Sequence, residues 1–200
     1  MVIPLALINK KYYWYIIPLG LIVILTQSLG AILSLFLASI FYFYLEGKSQ
    51  KKSIFILAGI LLITAVILFA RFLTHGAHTQ PIFSTVMRLR YWQDTFVIIQ
   101  KSPLIGTGMG NFNLTNSRFA HNSYLQFWAE TGIVSLLAFV WLVVIITKNG
   151  VARAKNSALQ NMDIALLTAN VAFILHNFID FTFFLPEITL AWWIVLGLLI

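Results

Sequence analysis

The sequence predicts an all-α polytopic membrane protein of about six transmembrane helices, with one long extracytoplasmic loop carrying an amphipathic helix. Three observations predict it: the balance of apolar to charged residues, the lengths of the apolar runs, and the placement of Lys and Arg. Of 200 residues, 60% are hydrophobic and 10% charged, whereas soluble domains carry about 25% charged residues. So sparse a polar surface excludes a soluble domain. The net charge is +7, but the cations sit at the ends of apolar runs and form no single patch. They read as topology determinants, not as a nucleic-acid footprint. The chain has no Cys, which excludes disulfides and Cys-ligated zinc or iron–sulfur centres.

A helix needs about 20 apolar residues to cross the hydrocarbon. The first apolar block, about residues 12–45, would be ~50 Å long as one helix, too long for a single crossing. Its middle reads TQSLGA, polar and interrupted by Gly30, which predicts two helices turning near Ser28. Blocks at about 54–73, 124–147, 165–179 and from 185 onward bring the number to six. Lys and Arg concentrate on the cytoplasmic side. With Lys10 and Lys11 inside, Lys48, Lys51, Lys52, Lys148, Arg153 and Lys155 also fall inside. The Ser28 turn, residues 74–123 and residues 176–187 then lie outside. Merging the first two spans would throw Lys48, Lys51 and Lys52 to the opposite side from Lys10 and Lys11. Residues 1–200 read as one membrane domain, and the apolar runs at both ends suggest a fragment, or the C-terminal half, of a larger protein. Tyr12, Tyr13, Trp14 and Tyr15, with Trp192 and Trp193, read as interface belts.

The outer segment holds cations that depart from this pattern: Arg88, Arg90, Lys101 and Arg118 within it, and Arg71 at its edge. Long loops escape the charge rule, and cations also suit an anionic ligand; the residues alone leave both readings open. LRYWQDTFVIIQ has apolar residues at helical spacing and predicts an amphipathic helix along the membrane surface. KSPLIGTGMGNF is a Pro and Gly turn region. Its Gly106, Gly108 and Gly110 follow no strand and fit neither nucleotide-binding spacing, so they predict a backbone turn. In RFAHNSYLQFWAETGIVSLLAFVWLVV an apolar run is prefaced by His121 and Asn122. Asn122 is either a helix N-cap or a substrate contact. Gln126 and Glu130 follow it on one face and predict interhelical hydrogen bonds. Gly132 predicts close helix packing. His176 and Asp180, four apart, predict a pair on one helix face. His75 and His78 have no third ligand nearby, so no zinc site is expected.

Arg88 four residues before Trp92, then SPLIGTGMGNF, then AHNSYLQFWAETGI, in this order and spacing, resemble the O-antigen ligase and O-antigen polymerase superfamily of bacterial membrane glycosyltransferases. LHNFIDFTFFLPE resembles that family's next segment. TQSLGAIL stands where many members have Ser-Arg-Gly at an outer-face turn, with Leu29 in place of the Arg. The resemblance runs from about Thr26 to the end. It implies transfer of a glycan from a polyprenyl-diphosphate carrier to an acceptor hydroxyl, on a lipid A–core sugar or a growing polysaccharide. The site would lie on the extracytoplasmic face of the cytoplasmic (inner) membrane and need no cofactor. Carrier-linked donor, acceptor and membrane lipids are the implied partners, with no nucleic acid. The family's loop His acts on the acceptor and its Arg residues hold the diphosphate.

The residues suit that chemistry. A sugar hydroxyl is a poor nucleophile, and a neutral imidazole with pKa near ~6.5 can take its proton during attack; His121 is that base. A diphosphate leaving group suits guanidinium, which stays charged and grips two oxygens at once. Arg88 leads, with Arg90, Lys101 and Arg118 as supplements, and Ser28, Asn122, His176 and Asp180 complete the expected substrate-binding set. Metal sites for phosphates want clustered carboxylates. The outer acids Asp94, Glu130, Asp180 and Glu187 are dispersed, so a metal-independent enzyme is expected. A polysaccharide polymerase or a protein O-oligosaccharyltransferase would use the same residues. An inactive fragment or a non-enzymatic bundle such as a transporter are the other classes. A transporter lines its midplane with ionisable positions, whereas here the polar residues gather at one face.

Overall fold

The computed structural model describes residues 1–26, 28–47, 58, 59, 62, 65, 66, 69, 83–155 and 159–200. Among these the chain is all-helical, with β-pairing confined to an isolated bridge between Leu114 and Ser117. The helices are α1 (Val2–Leu5), α2 (Ile16–Thr26), α3 (Leu29–Glu46), α4 (Phe83–Lys101), α5 (Ser123–Ala154), α6 (Gln160–His176) and α7 (Pro186–Gly197), with 3₁₀ turns at Lys10–Tyr15 and Thr182–Phe184. Among the described residues α3 and α5 are long and apolar enough to cross a membrane; α7 is apolar but shorter. The third expected span, 54–73, lies outside the described residues apart from a few helical positions.

Two compact units divide the chain. One holds Met1–Thr74, Ile146–His176 and Leu190–Ile200; the other holds His75–Ile145 and Asn177–Thr189. In the first, α3 packs on α6, and α1 packs on α6 and α2. Helix α2 ends at Thr26 and α3 begins at Leu29, so the apolar block is divided into two helices near Ser28. Ser28 accepts the Ala31 N–H at 3.3 Å and caps α3, which satisfies one of the orphan donors every helix start carries. The core of this unit includes Leu167, Ala169, Trp192 and Leu196. Asn170 lies within it, fully buried, donating to Thr147 Oγ1 and accepting from Trp192 Nε1, both at 2.9 Å. A buried amide left unpaired would be costly; here both ends are used.

Helix bounds differ from expectation where charged residues prove to be interior. The span expected at 165–179 begins earlier, at Gln160, because Asp163 is not a loop residue. Its carboxylate is buried and meets Arg153 at 2.8 Å, and Arg153 also donates to the Leu198 carbonyl at 2.9 Å. That helix ends at His176, so His176 and Asp180 do not share a helix face. The carboxamide of the next residue, Asn177, is committed to non-helical partners described below. Helix α5 runs past the expected end to Ala154 and contains a break at Gly132.

Candidate functional site

The second unit is built around the N-terminal half of α5. Ile99 of α4, Phe112 and Leu114 of the loop, Ala120 and Ala129 form its buried core, with Tyr91, Ile98, Leu125 and Trp128 packed against them. On α4, Arg88, Tyr91, Trp92, Thr95 and Ile99 share one face, since steps of three and four residues return to the same side of a helix. Arg90 and Lys101 fall on the opposite side by the same 3.6-residue period, and both are exposed. The structure thus separates Arg88 from the two cations expected to supplement it. Arg118 is also exposed, in the loop before His121.

The glycine-rich segment turns back on itself, as its spacing predicts. Gly106, Gly108 and Gly110 all have positive φ. The turn has a specific partner. At Gly132 (φ 82, ψ 169) α5 breaks, and the segment inserts its backbone there. Thr107 N–H bonds the Ala129 carbonyl and Gly108 N–H the Glu130 carbonyl, each at 2.9 Å, while Ile133 N–H bonds the Pro103 carbonyl at 3.0 Å. Trp128 Nε1 donates to the same Pro103 oxygen at 3.0 Å. A Cβ at Gly132 would strike the Leu104 carbonyl, and one at Gly106 the Glu130 carbonyl. Gly132 therefore opens the helix to a loop instead of allowing helices to pack closely.

Gln126 and Glu130 make hydrogen bonds, but not between helices. Glu130 accepts from Gln126 Nε2 at 3.0 Å and from Gly110 N–H at 2.9 Å. Gln126 accepts from Ala120 N–H at 3.1 Å. Both side chains are buried. They tie the loop at Gly110 and Ala120 to one face of α5. Asn122 caps that helix, its side-chain oxygen receiving the Tyr124 and Leu125 N–H groups at 3.0 Å each. The cap occupies the oxygen that a substrate contact would otherwise use.

These ties position His121. Ala120 is fully buried and Asn122 nearly so, so the residue between them must turn the chain, and it does so with φ 52. Left-handed backbone costs a non-glycine residue about 1–2 kcal/mol, and such strain clusters at functional positions. Trp92 Nε1 donates to the His121 carbonyl at 3.4 Å. The imidazole stacks on Tyr91 at a 5.5 Å centroid separation and meets the Phe181 edge at 4.8 Å. Phe181 in turn stacks on Phe119 at 4.2 Å. Burial holds the His121 pKa below the ordinary 6.5; Asp180 pulls it up and Arg88 pushes it further down. Its Nδ1, like the Arg88 Nε, is buried with no hydrogen-bond partner among the described residues.

Asp180 and Phe181 arrive through Asn177 and Ser123. Ser123 N–H donates to the carbonyls of Asn177 (2.9 Å) and Asp180 (3.1 Å). Ser123 Oγ donates to Asn177 Oδ1 at 2.6 Å, and that oxygen also accepts from Thr182 Oγ1 at 3.1 Å and Phe183 N–H at 2.8 Å. Asp180 itself accepts the Phe181 N–H at 2.8 Å. The segment 177–183 thereby wraps the first turn of α5. Arg88, His121 and Asp180, some ninety residues apart in sequence, become electrostatic neighbours. Ser28 and His176 belong to the other unit, as a helix cap and as the last residue of α6. Sequence reasoning missed Tyr91, Phe181, Ser123 and Asn177. Only Tyr91 had a visible signal, three residues from Arg88 on one helix face.

The sequence model of the O-antigen ligase family matches residues 14–140. The chain belongs to the O-antigen ligase family. This is a family of glycosyltransferase-like membrane enzymes acting on lipid-linked glycans. The matched stretch contains Ser28, Arg88, Arg90, Lys101, Arg118, His121 and Asn122; His176 and Asp180 lie beyond it. No curated protein and no solved structure matches the chain. Among the described residues no group of His, Asp and Glu is arranged to hold a metal ion.

Proposed function

We propose that this O-antigen ligase family member transfers a glycan from a polyprenyl-diphosphate carrier to an acceptor hydroxyl at the extracytoplasmic face of the cytoplasmic membrane, with His121 as general base and Arg88 on the diphosphate. The observation that carries the reading is the convergence of Arg88, His121 and Asp180 around an imidazole whose pKa lies below its ordinary value. A base must be neutral to act, and a depressed pKa keeps it so at physiological pH. The hydroxyl loses its proton to His121 as its oxygen attacks the anomeric carbon. The bond from that carbon to the diphosphate oxygen breaks, and the negative charge gathering on the diphosphate faces a guanidinium. Charge stabilisation placed where charge develops lowers the barrier. Asp180 favours the imidazolium that results. Arg90, Lys101 and Arg118 form a separate, exposed set suited to holding the anionic carrier at the membrane surface.

A purified transfer assay comparing His121→Ala, His121→Gln and Asn122→Ala tests the assignment. Base assistance contributes about 10²–10⁴-fold, so His121→Ala should lose at least about two orders of magnitude while still binding carrier lipid. Asn122→Ala should act mainly through the lost cap, about 1 kcal/mol of helix stability. A near-normal rate for His121→Gln removes His121 as the base. Glycolipid profiling of a deletion strain then separates the acceptors. Loss of polymer from the lipid core with intact carrier-linked polymer marks a ligase, whereas caps of a single repeat mark a polymerase.

A further inference from the structure

We propose that residues 103–109 form a membrane-inserted anchor, with Leu104, Ile105 and Met109 seated in the lipid leaflet beside the Gly132 break in α5. Leu104 is 64% exposed, Ile105 80% and Met109 78%. A lone exposed apolar side chain is ordinary on a protein surface; three in one seven-residue turn ask what covers them. The turn cannot swing to bury them, because its backbone is locked to α5. The Pro103 carbonyl accepts from Ile133, and Thr107 and Gly108 donate to Ala129 and Glu130. Gly110, directly after Met109, donates to the Glu130 carboxylate.

The neighbouring surface identifies the cover as lipid. From Ile133 onward α5 is an apolar span, and its outward side chains Val134, Leu137, Trp141 and Val144 are all more than half exposed. In a membrane protein such a strip suits hydrocarbon. The Leu104 carbonyl and Ile105 nitrogen are the atoms nearest the missing Cβ of Gly132, so the exposed turn adjoins the first turn of that strip and continues it. The turn 103–109 carries no charge, and its flank supplies Lys101, exposed at the end of α4. Arg90 and the acid Asp94 are the other exposed charges nearest on α4. An apolar tip with a cation beside it matches acyl chains below and headgroup phosphates above. A second copy of the chain would also cover apolar side chains, but it would not supply the phosphates that Lys101 faces. Insertion here sets the depth of Glu130 and, through Gln126 and Ala120, of His121.

The chain has no Cys, so depth can be read from single labels. The full chain is placed at one copy per nanodisc of phosphatidylcholine and phosphatidylglycerol. A bimane on Ile105→Cys, and separately on Met109→Cys, is quenched either by a nitroxide high on the lipid acyl chain or by aqueous iodide; Asn116→Cys, exposed in the same loop, is the reference. Insertion predicts several-fold stronger nitroxide quenching than at Asn116 and protection from iodide at both sites. Iodide quenching at Ile105 and Met109 equal to that at Asn116 overturns the anchor. Shielding from both quenchers overturns it too, since protein and not lipid would then cover the turn. If one variant fails to fold, the other gives the reading.

Discussion

As the proposed base, His121 must be neutral to act, and the groups around it set the pH at which it becomes so. Burial and Arg88 lower its pKa, and Asp180 opposes them. The neutral base is therefore present through neutral pH, and transfer should be flat there and fall only below about pH 6.5, the ordinary His value. Asp180→Asn removes the group that favours the imidazolium, so the acid limb should move to still lower pH. Pre-steady-state transfer rates measured against pH check both statements; an acid limb unmoved by Asp180→Asn would remove the electrostatic link. At Arg88 the expectation concerns charge and shape. Arg88→Lys keeps the charge but loses the two-pronged grip, so it should retain much more activity than Arg88→Ala. Restoration of activity in Arg88→Ala by a divalent ion, after loss to a chelator in the parent, would shift the diphosphate to a metal.

At the level of elements, the break in α5 joins the glycine turn to the helix that carries the site. Gly132 occupies a region of backbone space that is essentially glycine-only, where a side chain costs about 1–3 kcal/mol, and its missing Cβ leaves room for the Leu104 carbonyl. Gly132→Ala should lower the melting temperature by several degrees, at about 2–4 °C per kcal/mol for a chain of this size. It should also reduce transfer, because the loop that holds Glu130, Gln126 and Ala120 is displaced. Gly20→Ala is the contrasting variant. A Cβ there meets nothing within 4 Å, and Ala favours a helix interior over Gly. Thermal unfolding of the two variants in detergent, followed by tryptophan fluorescence, makes the comparison; equal melting temperatures would count against the break as a structural requirement.

At the scale of the whole molecule, the arrangement of cations predicts which end of α5 faces outward. A Cys at Asn116 should react with an impermeant maleimide in intact spheroplasts, and protection there would invert the topology. Arg153, expected on the inner side, is the informative cation outside the unit that holds the proposed site. Its removal leaves the buried Asp163 carboxylate without its 2.8 Å partner. Breaking a fully buried pair costs about 3–5 kcal/mol, and the partial exposure of Arg153 softens this. Arg153→Ala should lower the yield of folded protein while leaving transfer per folded molecule unchanged, as quantitative blotting beside the transfer assay would show.

Composition and the lengths of the apolar runs determined the class, because hydrocarbon admits so few polar groups that a membrane chain declares itself in its residue counts. The helix boundary near Ser28, the glycine turn and the family were legible for a similar reason: each rests on local patterns within short stretches. Local rules could not say that Asp163 lies inside a helix, because a lone acid reads as loop until Arg153 is brought to it. Residue type alone could not separate Arg88 from Arg90 and Lys101; the family resemblance put Arg88 first, but the face of α4 that each occupies against the loop is chosen by what packs there. Nor could local rules place Asp180 and Phe181 beside His121. That neighbourhood rests on Asn177 bonding Ser123 across more than fifty residues, and a hydrogen bond leaves no periodicity in sequence. The sequence by itself determined the all-helical membrane class and the local turn and cap patterns. Only the tertiary structure decided which residues meet, because the break at Gly132 and the polar ties around it act between segments far apart in the chain.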